Sequence, residues 1–356
     1  MNPRHPGPHG VHGRGAADNP KNRFERVERT PEPIDAHDAE HPLPVTQFLP
    51  DASKSIIARN TSPDVGFDAS VNPYRGCEHG CAYCYARPTH EYLGFSAGLD
   101  FETKIMVKHD APDLLRRELS KRSWTPQLIA MSGVTDCYQP IERKLQLTRQ
   151  CLEVLAEFRN PVVIITKNAL VTRDVDVLSR LAEQHAVAVV LSITTLDADL
   201  CGALEPRTSR PAKRLAAIAA LAQAGVPVGV NVAPVIPGLN DAEIPRIIQA
   251  AADAGAKFAG LVPLRLPYAV APLFEAWLDQ HRPRMKDKVL HRMLDLRGGS
   301  LNDPNFGSRM AGQGPFADQI HALFAMACKR AGLTGWPELS TAAFRRPTAQ
   351  TSLFDG

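Results

Sequence analysis

The residues able to do chemistry sit in one short string, Cys77-Glu78-His79-Gly80-Cys81-Ala82-Tyr83-Cys84, a CxxxCxxC spacing. Three thiolates so placed can each face one corner of a cluster from a tight loop. The glycines at 76 and 80 permit the sharp backbone path. A [4Fe–4S] cube normally takes four cysteines. With no fourth at a matching spacing one iron stays open, and an open metal position is a site for a ligand. The other reading is a structural zinc site completed by His79, His90 or a distant cysteine. The setting favours the cluster, because the string follows a candidate strand and opens a region of alternating strand and helix patterns. Seven cysteines is an odd count for a chain of this size, so metal or redox use is expected rather than a disulfide framework. Cys151, Cys201 and Cys328 fall in helical or loop patterns and read as small buried apolar residues.

Such thiols need a frame. The runs 128–131, 162–165, 187–191, 226–230 and 258–262 are short, apolar and β-rich, as strands buried on both faces are. Helical patterns lie between them, over 140–158, 175–185 and 210–224, the last ending at Gly225. Strand and helix alternating at this spacing predict an α/β fold with a parallel sheet, rolled into a full or partial barrel. Function on such a frame usually sits at the C-terminal ends of the strands. The chain of 356 residues is 44% hydrophobic and 22% charged, with net charge +3, which is ordinary globular composition. No apolar run reaches the length of a membrane span, and the N-terminus lacks a secretory signal, so a cytoplasmic protein with no membrane partner is expected. Residues 1–50, rich in proline and histidine, predict a disordered extension in which His5, His9 and His12 are solvated. The core is expected over 51–300, a segment closing it over 301–345, and a tail over 346–356.

The longer string Asn72-Pro-Tyr-Arg-Gly-Cys-Glu-His-Gly-Cys-Ala-Tyr-Cys-Tyr-Ala-Arg87 resembles the radical S-adenosylmethionine (SAM) superfamily. Within it the chain resembles the branch related to spore photoproduct lyase, described as DNA repair photolyase-like. The resemblance runs from about Ser55 to Leu333 and includes Phe101 to Lys108, Thr135 to Glu142, Ser192 to Asp197 and Ala233 to Asp241. It implies a partial (β/α)6 TIM-like barrel with a [4Fe–4S] cluster on Cys77, Cys81 and Cys84. It implies that the open iron chelates S-adenosyl-L-methionine. One electron, from a reductant such as flavodoxin or ferredoxin, would then release methionine and a 5′-deoxyadenosyl radical. It places Tyr83 near the adenine, Ser132 and Gly133 at the methionyl amino group, and Lys167 and Ser192 around the cofactor. Glu205 and Arg207 are implied to take ribose or carboxylate. The lyase itself uses a hydrogen-donating cysteine at the end of the second strand. Here Gly133 stands in its place, and Cys137 is the candidate substitute.

Two further features concern partners. Residues 281–346 carry eleven Lys/Arg against five Asp/Glu, a face that phosphates of DNA would fit, although aromatic stacking partners are sparse there. The tail Gln350-Thr-Ser-Leu-Phe354 resembles the peptide by which bacterial replication and repair proteins dock on the sliding clamp, with Thr351 as a departure. The expected function is a lyase-like radical SAM enzyme of DNA repair. The alternatives are the same chemistry on a peptide or small metabolite, and a non-catalytic iron–sulfur sensor.

Overall fold

Apolar runs bounded by turn residues become the strands of one sheet. The structure, a computed structural model, describes residues 11, 13–25, 45–333 and 335–347. Its strands are β1 (Gln47–Pro50), β2 (Ile57–Arg59), β3 (Ala69–Val71), β4 (Tyr74–Arg75), β5 (Lys104–Val107), β6 (Ile129–Met131), β7 (Val162–Thr166), β8 (Val187–Ser192), β9 (Val228–Val235) and β10 (Phe258–Pro263). Seven of them form a sheet in the order β10-β9-β8-β7-β6-β3-β2. β3 and β6 to β10 are parallel, and β2 caps one edge antiparallel to β3. β2 and β10 end the sheet without pairing to each other, so six parallel strands make a partial barrel, as expected.

Side chains alternate along each strand. Ile129, Met131, Val162, Ile164, Val187, Val189, Val228 and Val230 join the main core, to which the helices contribute. Ala130, Val163, Ala188, Val190 and Phe258 form a second core inside the curve, covered by Phe67 and Leu339. Continuing that inner register to the C-terminal ends brings up polar residues: Asn72, Ser132, Lys167, Ser192 and Asn231. The lumen is therefore apolar at its floor and polar at its mouth.

The helix expected over 140–158 is two, Glu142–Leu145 and Leu147–Phe158, parted by Gln146 at φ 52°. Glu142 explains the break. Its carboxylate accepts from the amides of Thr148 (3.1 Å) and Arg149 (3.4 Å), so it caps the second helix from outside. Helix Pro211–Gln223 closes at Gly225, whose left-handed φ of 74° lets the amide of Val226 return to Leu221 O (3.0 Å).

The C-terminal segment runs beneath the barrel floor. Trp336 packs on Phe258 (4.8 Å between rings), and the amide of Ser340 donates to His185 O (2.9 Å), just before β8. The disorder expected over 1–50 does not hold for residues 13–25. The amides of Gly15 and Ala16 donate to Glu102 (3.1 and 2.9 Å), and Asn22 is buried. A buried carboxylate that needs donors holds this segment down. His5, His9, His12 and Gln350–Phe354 lie outside the described residues. Among the described residues no helix is long and apolar enough to cross a membrane.

Candidate functional site

The cysteine loop leaves β4 at Gly76 (φ 79°) and is fixed by backbone bonds at both ends. The amide of Cys77 donates to Phe101 O and that of Ala82 to Leu204 O, both at 2.9 Å. Arg87, fully buried, donates twice to Cys81 O (2.8 and 3.1 Å) and pairs with the buried Glu102. Gly80 is required by contact as well as by its φ of 65°: a Cβ there would meet Glu102 Oε2 at 2.6 Å. The loop residue Glu78 accepts from the Ile141 amide (2.9 Å) and pairs with Arg207 (3.1 Å).

His79 ties the loop to the sheet. Its Nδ1 lies 3.3 Å from Asp136 and its Nε2 3.1 Å from Asn168 Nδ2. Asp136 also accepts from the Thr166 hydroxyl (2.7 Å) and the Lys167 amide (2.8 Å), so one carboxylate joins the ends of β6 and β7 to the loop. Burial opposes charge on both partners. Even so, Asp136 and Cys77 hold the imidazole at about 10. Likewise His79 and the surrounding donors hold the Asp136 carboxyl at about 2.

Cys77 and Cys81 are buried and Cys84 is partly so; all three are free thiols. Burial pushes the Cys81 and Cys84 thiols up, while Lys167, and Arg87 at Cys84, pull them down. Among the described residues no three His, Cys, Asp or Glu side chains close into a single-ion ligand set. Three thiols on one loop offer the kind of thiolate set that a [4Fe–4S] cluster takes, each on a separate iron.

Inside the mouth, Tyr83, Lys167 and Glu205 come together. The Lys167 ammonium lies 5.8 Å from the Tyr83 ring, and the Tyr83 hydroxyl donates to Glu205. Burial would raise the Glu205 carboxyl, but Arg214, Lys167 and the hydroxyls of Thr194 and Tyr83 hold it at about 2. Arg214, itself buried, also donates to Ser192 O (2.8 Å). The Glu205 carboxylate is thus engaged by protein groups and orients Tyr83. Ser132 adopts φ 82°, rare for a non-glycine and typical of functional sites. The amide of Gly133 donates to Asn72 Oδ1 (2.8 Å). Ser192 pairs in register with Asn231, whose Oδ1 is buried and has no hydrogen-bond partner among the described residues. An orphaned acceptor in a polar mouth is costly unless a ligand supplies the donor.

Two residues singled out in the sequence do not join this group. Cys137 is fully buried, its thiol against the Ser132 hydroxyl and near Glu142, and burial raises it well above its ordinary value. Arg207 lies behind the cysteine loop, lining a cavity of about 430 Å³ with Arg143, Arg210 and Lys213. Sequence reasoning missed Asp136, Arg214 and Asn72. Asp136 lay within a string already matched, directly after a strand. Arg214 carried no signal, because an arginine in an alanine-rich helix reads as solvated.

Residues 71–251 match the family model described as the Radical SAM superfamily. An uncharacterized protein of Mycobacterium tuberculosis (strain ATCC 25618 / H37Rv) is 37% identical over 237 residues, covering 66% of this chain and 69% of its own. An uncharacterized protein of Methanocaldococcus jannaschii is 32% identical over 173 residues, covering 49% of this chain and 62% of its own. Among solved structures, a spore photoproduct lyase mutant with bound AdoMet and dinucleoside spore photoproduct superposes with a TM-score of 0.59, at 17% identity, covering 80% of each chain. At that identity the likeness concerns the fold.

Proposed function

The chain belongs to the radical SAM superfamily of enzymes, and from that premise we propose that it uses SAM-derived radical chemistry on a nucleic acid. The observation that carries the radical chemistry is the rigid cysteine loop facing a polar mouth with an unsatisfied acceptor, Asn231 Oδ1. Cys77, Cys81 and Cys84 would hold a [4Fe–4S] cluster, which when bound supplies the electron that cleaves SAM to methionine and a 5′-deoxyadenosyl radical. Every other role falls to ordinary side chains. Lys167 offers a positive charge to a carboxylate. Tyr83, fixed by Glu205 and Thr194, presents a ring face for an adenine. Asn231 accepts from a ribose hydroxyl or an amine. The apolar floor under them keeps water away from a reactive centre.

The nucleic-acid part is supported by the branch resemblance and by the basic segment over 281–346. A role in DNA repair, docking on a sliding clamp through Gln350–Phe354, reduction by a flavodoxin- or ferredoxin-like carrier and a cytoplasmic site of action belong to the same reading. The test is anaerobic reconstitution with iron and sulfide, then dithionite and SAM, with 5′-deoxyadenosine quantified with and without UV-damaged DNA. The expected result is nucleoside above a Cys81→Ala control, increased by DNA. A loaded cluster giving no nucleoside overturns the radical chemistry. Nucleoside indifferent to every nucleic acid overturns the substrate class.

A further inference from the structure

Aromatic residues are sparse in the basic segment, but they gather at the mouth from distant parts of the chain. Tyr85, the residue after Cys84, is 50% exposed, and its hydroxyl donates to Gly133 O just beyond β6 (2.7 Å). The Arg265 guanidinium, just past β10, lies 5.1 Å from the Tyr85 ring. Three strands separate β6 from β10 in the sheet, so this pair spans the lumen. Three residues on from Arg265, the Tyr268 ring lies 4.0 Å from the Arg23 guanidinium. The same guanidinium lies 4.8 Å from Phe24 and 5.4 Å from Tyr92, and those two rings are 4.9 Å apart.

Phe24, Tyr92 and Tyr268 are 54, 72 and 68% exposed, so their outer faces meet solvent. Tyr268 sits at φ 49°, a strained conformation for a bulky side chain. Glu91 neutralises Arg23 (3.2 Å), which leaves it a flat stacking surface rather than a free charge. Arg265 forms no ion pair among the described residues: its guanidinium meets Tyr85 and Met310 Sδ (3.2 Å), and the nearby Asp64 is already paired with Arg309. Planar rings interleaved with guanidinium planes offer surfaces on which the π faces of bases stack. An unpaired cation beside them matches a phosphate.

We propose that Tyr85, Arg265, Tyr268, Arg23, Tyr92 and Phe24 form a stacking platform for the unpaired bases that flank the nucleotide in the lumen. Arg265 meets the backbone phosphate. This rests on the nucleic-acid reading above and makes the substrate single-stranded or locally opened at the mouth.

The test uses the full chain with reconstituted cluster and a labelled single-stranded oligonucleotide of ~12 nucleotides, read by fluorescence anisotropy across salt. Tyr92→Ala and Tyr268→Ala should each weaken binding about 10-fold, while Tyr92→Phe and Tyr268→Trp retain it. Arg265→Ala should lower the slope of log affinity against log salt by about one. DNA-independent 5′-deoxyadenosine formation should be unchanged in the two tyrosine-to-alanine variants, which reports intact folding. Wild-type affinity in both alanine variants overturns the platform and leaves the nucleic-acid reading standing. Equal loss in the aromatic replacements also overturns it, since the hydroxyls would then make the contact. A wild-type protein that binds neither single- nor double-stranded nucleic acid removes the reading and the platform together.

Discussion

Nδ1 of His79, within the cysteine loop, lies 3.3 Å from the carboxylate of Asp136, which follows β6. His79 is nearly inaccessible to solvent and is the loop's charged tie to the sheet. Backbone bonds and the Arg87–Glu102 and Glu78–Arg207 pairs anchor the loop elsewhere, and the His79–Asp136 pair joins it to the strand ends.

Replacing His79 with leucine leaves Asp136 buried without its counter-charge. Breaking a buried pair by removing one member costs about 3–5 kcal/mol. His79→Leu should therefore unfold at markedly lower urea and take up less iron on reconstitution. Unchanged iron content would show that the backbone bonds alone position the loop.

The cysteine motif, the βα alternation and five strand positions were all legible in the sequence, because each is a local pattern. Lys167 and Ser192 were legible for the same reason: each stands at the end of an apolar strand. What stayed hidden depends on contacts between distant segments. Glu205 reads in the sequence as a ribose or carboxylate contact, and its pairing with Arg214, nine residues on and buried, has no sequence signal. Residues 13–25 looked disordered because the partner they satisfy, Glu102, lies far along the chain. The platform residues span positions 23 to 268, and no sequence window contains them.

Glu205 carries a pH signature. Its carboxyl is held at about 2 against an ordinary value of 4.5, so the folded state binds this proton more weakly than the unfolded one. The stability it contributes is complete above 4.5 and is lost as pH falls through about 2. Urea midpoints measured from about pH 6 to about pH 3 should fall more steeply for the wild type than for Glu205→Gln. Glu205→Gln should also be less stable at neutral pH, because Arg214 then stays buried beside a neutral amide. Parallel pH profiles for the two proteins would contradict the pairing.

The N-terminal segment can be released by one methyl group. A Cβ on Gly15 would sit 1.7 Å from Gly80 O, whereas one on Gly66 would meet nothing within 4 Å. Gly15→Ala should expose residues 13–25 to limited proteolysis and reduce iron retention, because Gly80 belongs to the cysteine loop. Gly66→Ala should match the wild type. Equal protease resistance in both variants would mean that the segment adjusts without leaving the loop.

Position 133 has room for a side chain that it lacks. A Cβ there would meet Ser70 Oγ at 3.7 Å and Asn72 Nδ2 at 3.8 Å, ordinary contacts, and its φ is not left-handed. Gly133→Cys should therefore fold with stability within about 0.5 kcal/mol of the wild type. Its new thiol would stand at the mouth between the ends of β3 and β6, while Cys137 remains fully buried. Alkylation of the native protein should accordingly modify position 133 in the variant and spare Cys137 in both proteins. With UV-damaged DNA, Gly133→Cys should alter the products formed. Cys137→Ala should cost about 1 kcal/mol of stability and leave the products as they were. If Cys137→Ala instead abolished product while preserving the nucleoside, the buried thiol would be the hydrogen donor, and Ser132 would have to swing aside to admit it.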